Sequence, residues 1–371
     1  TIEGGTVVVR DGKIASVTKG GPPRDSDDVL RAAAVTAGMI DLSARVTAGF
    51  TSVEQSREVT AEVRVGPSLN MYDTDWARQA RSGVTTVLIN PPDENVIGCL
   101  ALALKMHGAS ALASRTLKPD AVLRGAIGTQ PSRRNHPAFQ RADDFYSRRP
   151  TTRMGVEWVL RKAFYDAGYA KGKAERAFPG SAQLQQALAG RLPFFVQAWT
   201  TQDIRTAVYV KEEMEREGLG TIDLVVDAAA EAWREPELLV RTKTGVVLPP
   251  HPWQGRTGEG ALMPFNTARA LIDRGLRVAL SSHGAAAADQ RLDRQAGFAM
   301  RGGLSFDEAL AAVTVTPAEM IGVADRVGTL EVGKDGDCVL WSGAPFQTGS
   351  RVTGVLVDGR LALDPRPAST Q

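Results

Sequence analysis

Short apolar runs alternate with helical stretches from about residue 38 to residue 325. The apolar runs are nearly continuous, as expected for strands that are covered on both faces. The predicted strands are VTTVLIN (84–90), AVLRGAIG (121–128), PFFVQAW (193–199), IDLVVDAA (222–229), GVVLPP (245–250) and RVALSSHG (277–284). Alternating strands and helices form parallel sheets, and about seven such units favour a closed barrel over an open sheet. The pattern predicts an α/β fold with a (β/α)8 TIM-like barrel.

The predicted helices of the barrel have amphipathic patterns and recognisable end signals. They are MGVEWVLRKAFYDAGYA (154–170), TQDIRTAVYVKEEMEREG (201–218), FNTARALIDRG (265–275) and SFDEALAAVT (305–314). The second of these is expected to begin at Thr201 as its N-cap and to end before Gly218.

The two ends of the chain have a different pattern, with strands joined by tight turns. TVVVRDGKIASV (6–17) predicts a β-hairpin because Asp-Gly separates two apolar strands. DCVLWSG (337–343) and VTGVLVDGRLAL (352–363) repeat this style near the C-terminus. Two such groups can cover apolar faces that neither buries alone. We therefore expect a small β-sandwich domain built from residues 1–37 and 326–371, and a barrel over residues 38–325.

Charge and hydropathy exclude several classes of function. The 371 residues contain 44 Lys and Arg against 42 Asp and Glu, so the net charge of +2 favours neither nucleic acid nor an anionic membrane. No run approaches the roughly 18 apolar residues of a membrane span, and no signal-peptide pattern is present. The chain begins at Thr1, so the expected soluble protein is cytoplasmic, or periplasmic if a signal peptide has been removed.

Cysteine and histidine are scarce, which limits the available metal chemistry. Cys99 and Cys338 lie far apart without Cys-x-x-Cys spacing, so the sequence predicts neither a disulfide framework nor a zinc-thiolate site. Only four histidines are present in the chain.

Several motifs together resemble the amidohydrolase superfamily, in particular its imidazolonepropionase-like and dihydroorotase-like members. They are TVVVRDGKIASV, AGMIDLS, SGVTTVLI, RVALSS, TVTPAEMIGVADRVGTLEVGKDGDCVLWSG and GVLVDGR. The similarity extends over nearly the whole chain. It implies a barrel hydrolase acting on non-peptide C–N bonds. In that family a metal is held by His-x-His on the first strand, a histidine on each of two later strands and an aspartate on the last, and the metal makes hydroxide available.

The matching metal-ligand positions carry other residues in this chain. Ser43 and Arg45 stand in the His-x-His slots, Gln197 and Asp227 in the single-histidine slots, and His283 in the aspartate slot. Arg45 would bring a permanent cation without a lone pair to the site. At 4 Å it would repel each unit of positive charge by ~4 kcal/mol at an effective dielectric near 20, and a divalent ion by twice that. We therefore expect no metal and no cofactor, and whether the chain is an enzyme stays open.

The preferred hypothesis is a catalytically silent homologue with a role in assembly or regulation. In it Arg45 pairs with Asp227, because a buried cation needs a partner, and Gln197 satisfies local backbone groups. The expected assembly is a homo-oligomer, or a hetero-oligomer with an active paralogue.

A second hypothesis is a binding module for a small anionic ligand. Arg45 would then replace the charge of the metal, and Ser43, Gln197 and His283 would offer hydrogen bonds to a carboxylate.

A third hypothesis is hydrolysis of C–N bonds by a divergent, metal-independent mechanism. The base would be His251 or His283, Asp227 would orient it, and Ser43 would be the nucleophile or proton donor. The same histidines are equally explained as structural residues.

An Arg-rich stretch and a candidate ion pair lie near the mouth of the predicted barrel. The Arg-rich stretch 129–150 is long for a loop in a compact domain and is expected to be solvated or to form a partner surface. Arg153 and Glu157 lie four residues apart, which predicts an ion pair on one helical face.

Overall fold

The structure is a computed structural model that describes residues 2–20, 28–44, 46, 52–132, 149–251, 259–284 and 291–366. Within these ranges the strands form a two-stranded, an eight-stranded and a four-stranded sheet. No helix in the described part of the chain combines the length and the apolar character that crossing a membrane requires.

The chain begins with the predicted β-hairpin, which the structure confirms. Strands β1 (Gly5–Arg10) and β2 (Lys13–Lys19) pair antiparallel. Asp11 and Gly12 join them, both with positive φ, which is the backbone that a two-residue hairpin turn requires. Strand β3 (Ala34–Ala37) then leads into the barrel.

The barrel contains eight strands, and its presence confirms the predicted TIM-like fold. Neighbouring strands pair in chain order from β4 to β11, and the polar contacts between the two end strands are described with the site. The strands are β4 (Met39–Ala44), β5 (Val84–Ile89), β6 (Ile97–Lys105), β7 (Thr116–Ala126), β8 (Phe194–Gln197), β9 (Leu224–Asp227), β10 (Gly245–Leu248) and β11 (Val278–Leu280).

One strand departs from the regular β/α repeat. Strand β6 pairs antiparallel with both β5 and β7, whereas all other barrel pairs are parallel. The sequence analysis did not predict β6. Antiparallel neighbours need no helical crossover, so a short loop is enough between β5 and β6. The regular β/α alternation expected from the sequence is therefore interrupted between β5 and β7, within a barrel that is otherwise as predicted.

Helices surround the remaining strands. The described helices are α1 (Asp75–Ala80), α2 (Leu112–Arg115), α3 (Arg153–Ala170), α4 (Ser181–Leu188), α5 (Thr201–Arg216), α6 (Pro236–Arg241), α7 (Thr267–Ile272), α8 (Leu292–Arg301), α9 (Phe306–Val313) and α10 (Val315–Met320). All four predicted helices are present. Helix α5 is capped one residue earlier than predicted, because the side chain of Thr200 accepts the hydrogen bond from Asp203 N.

Apolar side chains from successive strands fill the interior of the barrel. These side chains are fully buried and include Ile40, Leu88, Ala103, Phe195, Val225, Val247 and Ala279. They pack against residues of α10 and the turn that follows it, including Ala318 and Met320. The barrel centre is thus a packed core rather than a pore.

The last strands form the four-stranded sheet. Strands β12 (Cys338–Trp341), β13 (Val352–Val357) and β14 (Arg360–Leu363) pair antiparallel in sequence, and β3 pairs with β12. Residues from both ends of the chain therefore share one sheet. The N-terminal hairpin contacts the turn before β12, where Gly336 N donates a hydrogen bond to Gly12 O at 2.7 Å.

A buried ion cluster joins the barrel to this turn. Lys105 Nζ, at the end of β6, lies 2.9 Å from Asp335, 2.8 Å from Asp337 and 3.0 Å from Asp358. Burial alone would lower the pKa of Lys105, but the three carboxylates raise it above its ordinary value. We refer to these four residues as the Lys105 cluster.

Candidate active site at the barrel mouth

The ends of the parallel strands bring several predicted site residues to one rim of the barrel. Ser43 lies near the end of β4, Gln197 ends β8 and Asp227 ends β9. His283 follows β11 by three residues. In TIM-like barrels this carboxyl-terminal rim is where binding and catalytic groups meet.

A fully buried arginine lies at the centre of these residues. Arg124, on β7, is only 1% exposed. Its Nε and Nη2 atoms lie 3.1 and 2.9 Å from Asp93 Oδ1, and Nη2 also lies 2.6 Å from Asp227 Oδ2. Burial alone would lower the pKa of Arg124, but Asp93 and Asp227 raise it above its ordinary value. The guanidinium is therefore a permanent charge in the barrel mouth.

The pairing expected between Arg45 and Asp227 stays a prediction. The described cation that pairs with Asp227 is Arg124, while Arg45 lies outside the described residues. The predicted partner surface at 129–150 falls mostly outside them as well.

Gln197 bonds to a side chain rather than to local backbone groups, which corrects the expectation for its amide. Gln197 Nε2 donates to Asp93 Oδ2 at 2.8 Å. Both oxygens of Asp93 therefore accept hydrogen bonds from the barrel strands, Oδ1 from Arg124 and Oδ2 from Gln197.

Ser43 lies between an aspartate and a histidine. Its Oγ atom is 3.0 Å from Asp227 Oδ2 and 3.1 Å from His283 Nδ1. The hydroxyl of Ser43 donates its single proton to Asp227 Oδ2, a carboxylate oxygen that Arg124 also binds. Nδ1 of His283 must then carry a proton and donate it to Ser43 Oγ. The geometry assigns the Nδ1–H tautomer to neutral His283.

Asp41 links the two end strands of the barrel sheet. Its carboxylate accepts hydrogen bonds from the backbone N and the hydroxyl of Ser282, just after β11, and from Ser43 N at 3.1 Å. Burial raises the pKa of Asp41, and the bonds from Ser282 and Ser43 counter this rise only in part. Polar contacts thus close the barrel where β4 meets β11.

The two candidate histidines have different surroundings. The ring of His283 packs edge-on against Trp199 at a centroid distance of 4.9 Å, and its φ of 49° is left-handed. The ring of His251 stacks on Phe265 at 4.8 Å, and burial lowers its pKa. The backbone N and O of His251 bond to the amide of Gln295. The structure brings Ser43, Asp227 and His283 together and gives His251 other partners.

The sequence analysis missed Arg124 and Asp93. A signal for Arg124 was present, because AVLRGAIG places a charge inside an apolar run that was itself predicted to be a buried strand. A buried charge requires a partner, so the acidic residues of the neighbouring loops were its candidate partners. Asp93 follows β5 in the loop 90–96, where no strand or helix pattern marked it.

The residues present do not fit the metal that the family resemblance implies. In the described ranges, no group of three or more His, Cys, Asp or Glu side chains is placed to hold an ion. The two carboxylates nearest the centre, Asp93 and Asp227, are already bound to the guanidinium of Arg124. The guanidinium itself has no lone pair, so it cannot act as a metal ligand.

A second group of charges lies in the first turns of α3 and α5. Arg153 pairs with Asp203 at 2.5 Å and with Glu259 at 2.7 Å. Glu157 pairs instead with Arg161 at 2.8 Å. The predicted ion pair between Arg153 and Glu157 is therefore wrong. Arg153 points toward the start of α5, and Glu157 pairs with Arg161 one turn further along α3.

Three comparisons with known proteins agree with this fold. The model of the amidohydrolase family matches residues 265–362. A curated protein, amidohydrolase tasK of Hapsidospora irregularis, is 25% identical over 356 residues, in an alignment that covers 84% of this chain and 34% of that protein. The chain thus spans about a third of the length of this relative.

Solved structures match over nearly the whole chain. A crystal structure of an amidohydrolase from Thermotoga maritima has a TM-score of 0.84 and 26% identity, covering 96% of this chain and 94% of that one. A zinc-bound adenosine deaminase from Xanthomonas campestris has a TM-score of 0.52 at 16% identity, covering 98% of this chain and 89% of that one, and shows similarity of fold alone. The barrel, the shared terminal sheet and the family match over residues 265–362 together make this chain similar to the amidohydrolase superfamily in both fold and sequence.

Proposed function

We propose that this protein is a metal-independent member of its superfamily that does not hydrolyse C–N bonds and acts in assembly or regulation. The observation that carries the proposal is the pairing of Arg124 with both Asp93 and Asp227. This pairing uses the anionic groups that a divalent ion would need.

The energetic argument is one of charge. An arginine side chain does not lose its proton in proteins, so it cannot make way for an ion by becoming neutral. A divalent ion 4 Å from the guanidinium of Arg124 would meet a repulsion of about 8 kcal/mol at an effective dielectric of 20. Both carboxylates are already bound to that guanidinium, so an ion could use them as ligands only by breaking their pairs with Arg124 and leaving its charge buried without a partner.

The hydrogen bonds of Ser43 also argue against a serine nucleophile. Its proton points to Asp227, whose charge is shared with Arg124, and its oxygen accepts a hydrogen bond from His283. A nucleophilic serine needs a base that removes its proton, whereas His283 here donates to the oxygen. The arrangement therefore favours a structural role for these three side chains over divergent hydrolysis.

An exposed apolar row on α3 supports a role that involves a partner protein. Met154, Trp158 and Tyr169 are 76%, 62% and 52% exposed, and their spacing places them along one face of the helix. Met154 and Trp158 lie one helical turn apart, and Tyr169 lies about three turns further along, beyond the exposed charges of Arg161 and Lys162. The apolar pair at the start of α3 is the part of this face that favours an interaction surface. The partner would be a second copy of the chain or an active paralogue.

Elemental analysis tests the metal-independent part of the proposal. Protein purified without chelators should contain no stoichiometric zinc, iron or manganese, and added Zn²⁺ or Mn²⁺ should not raise its melting temperature. The same preparation should not hydrolyse cyclic amides or ureas with either ion present. A stoichiometric ion, or metal-dependent turnover, would contradict the proposal.

A further inference from the structure

Three buried polar atoms at the barrel mouth have no hydrogen-bond partner among the residues that the structure describes. They are Arg124 Nη1, Gln197 Oε1 and Asn90 Oδ1. All three side chains are at least 97% buried. Buried polar atoms in proteins are almost always hydrogen-bonded to the protein or to an ordered molecule, so unbonded atoms of this kind at the mouth of a barrel point to an occupant.

The hydrogen-bonding role of each atom follows from its neighbours. Gln197 Nε2 faces the carboxylate of Asp93, and Asn90 Nδ2 donates to Leu42 O at 2.9 Å. Both of those partners can only accept, so the nitrogen of each amide is assigned and the remaining oxygen is an acceptor. Arg124 Nη1 can only donate. The occupant must therefore accept one bond and donate others.

These atoms lie at the same rim of the barrel. Arg124 and Gln197 are on the paired strands β7 and β8, and both bind Asp93. Asn90 follows β5 and starts the loop that carries Asp93, and its amide reaches back to β4. A small molecule held near Asp93 is therefore the simplest common occupant.

We propose that the barrel mouth binds a small uncharged molecule that presents an acceptor oxygen next to an N–H or O–H donor, the edge that a carboxamide or a vicinal diol offers. Its oxygen would accept from Arg124 Nη1, and its donor would bind Gln197 Oε1 or Asn90 Oδ1. This inference rests on the proposed function, because a divalent ion would take the carboxylates that hold Arg124 and Gln197 in place.

A charged ligand fits less well than a neutral one. A carboxylate has only acceptor atoms, so it would satisfy Arg124 and place its oxygens against those of Gln197 and Asn90. It would also approach the negative charges of Asp93 and Asp227, which share one guanidinium. A cationic amidine has only donors and leaves Arg124 Nη1 unbonded. The hypothesis of an anionic ligand depended on Arg45, and the described residues do not favour it.

Molecules of one size and different polarity test the inference. Acetamide, acetate and acetamidinium share a planar shape, and they offer respectively mixed, acceptor-only and donor-only edges. Ethylene glycol represents the diol. The full-length chain is examined with each probe by crystal soaking and by ligand-observed NMR titration. We expect acetamide, ethylene glycol or both to bind Arg124 Nη1 and Gln197 Oε1, and their relative affinity distinguishes an amide from a diol ligand.

Variants link binding to the proposed atoms. Gln197→Met removes the acceptor and should weaken binding about tenfold, the value of one hydrogen bond. Gln185→Met makes the same change on α4, where the Gln185 amide donates to Ala167 O, and should leave binding unchanged. The inference fails if acetate alone binds, if no probe binds and only water occupies the site, or if Gln197→Met binds like the wild type. A stoichiometric metal in the same sample would instead refute the proposed function.

Discussion

The protein contains two buried ion clusters that differ in how their charges are balanced. At the mouth, Asp227 is 0% exposed, and the cation that binds it is Arg124. In the Lys105 cluster, Asp335 forms salt bridges with Lys105, with Lys13 at 2.5 Å and with Arg326 at 2.9 Å. Asp335 thus shares its charge with two cations from the surface, whereas the cation that pairs with Asp227 among the described residues is Arg124.

The two clusters also differ in the completeness of their hydrogen bonds. The mouth leaves polar atoms of Arg124, Gln197 and Asn90 without partners in the described part of the chain, and none of the Lys105 cluster residues has such an atom there. In a cluster whose role is only structural, all buried polar atoms are expected to have hydrogen-bond partners. The incomplete cluster lies where barrels bind ligands, which is why we assign a binding role to the mouth and a structural role to the Lys105 cluster.

The largest effect is expected from removing the cation at the mouth. Arg124→Met leaves buried carboxylates without their charge partner and should lower the free energy of unfolding by about 3–5 kcal/mol. Urea denaturation measures the change. Arg124→Lys keeps the charge and should lose less. Arg64→Met removes an exposed partner of Asp120 and serves as the control, with an expected loss below about 1 kcal/mol.

Removing Lys105 should lower the free energy of unfolding by less than removing Arg124. Lys105→Met removes the cation of buried Asp337 but leaves Asp335 with Lys13 and Arg326, so we expect a loss of about 3 kcal/mol, the lower end for a broken buried pair. Lys13→Met removes a half-exposed partner of the same aspartate and should change stability by less than about 1 kcal/mol. A greater loss for Lys105→Met than for Arg124→Met would refute the comparison, because charge sharing would then give no protection.

Acid titration of the Lys105→Met variant sharpens the same point. Burial alone would raise the pKa of Asp335, but Lys105, Lys13 and Arg326 together lower it. A lowered pKa stabilises the fold above the pKa of the unfolded chain, and this contribution disappears as the pH falls through the folded value. Lys105→Met should therefore lose less stability on acidification than the wild type. An equal loss in both proteins would show that the other two cations alone set the pKa.

The fold was largely predictable from sequence, and the chemistry of the site was predictable only in part. Alternating strands and helices were enough to predict the barrel, because burial on both faces leaves continuous apolar runs. Strand β6 was not predicted, because the prediction relied on strands that alternate with helices and an antiparallel strand needs no crossover helix. Ser43, Gln197, Asp227 and His283 were placed at the rim by the family resemblance, and the structure places them there.

The partners of these residues could not be predicted. Arg124 lies inside a strand and Asp93 in a loop 31 residues earlier, and only the closed barrel brings them within 2.9 Å. Sequence spacing carries no information about contacts between strands that are separated by a hairpin. An unusual residue type, an arginine within an apolar run, was the one local signal, and it indicated that a partner was needed without indicating which.

The smallest effect is expected from Ser43, which tests whether neutral hydrogen bonds hold the mouth together. Ser43→Ala removes one bond to Asp227 and one from His283, and should lower the free energy of unfolding by about 1 kcal/mol. The informative measurement is the ¹⁵N NMR spectrum of the imidazoles. In the wild type neutral His283 should carry its proton on Nδ1, and in Ser43→Ala this preference should weaken. His251 is the internal reference, because its ring stacks on Phe265 and should not respond. A wild-type His283 with its proton on Nε2 would mean that it accepts from Ser43, which would favour the serine nucleophile over the silent barrel.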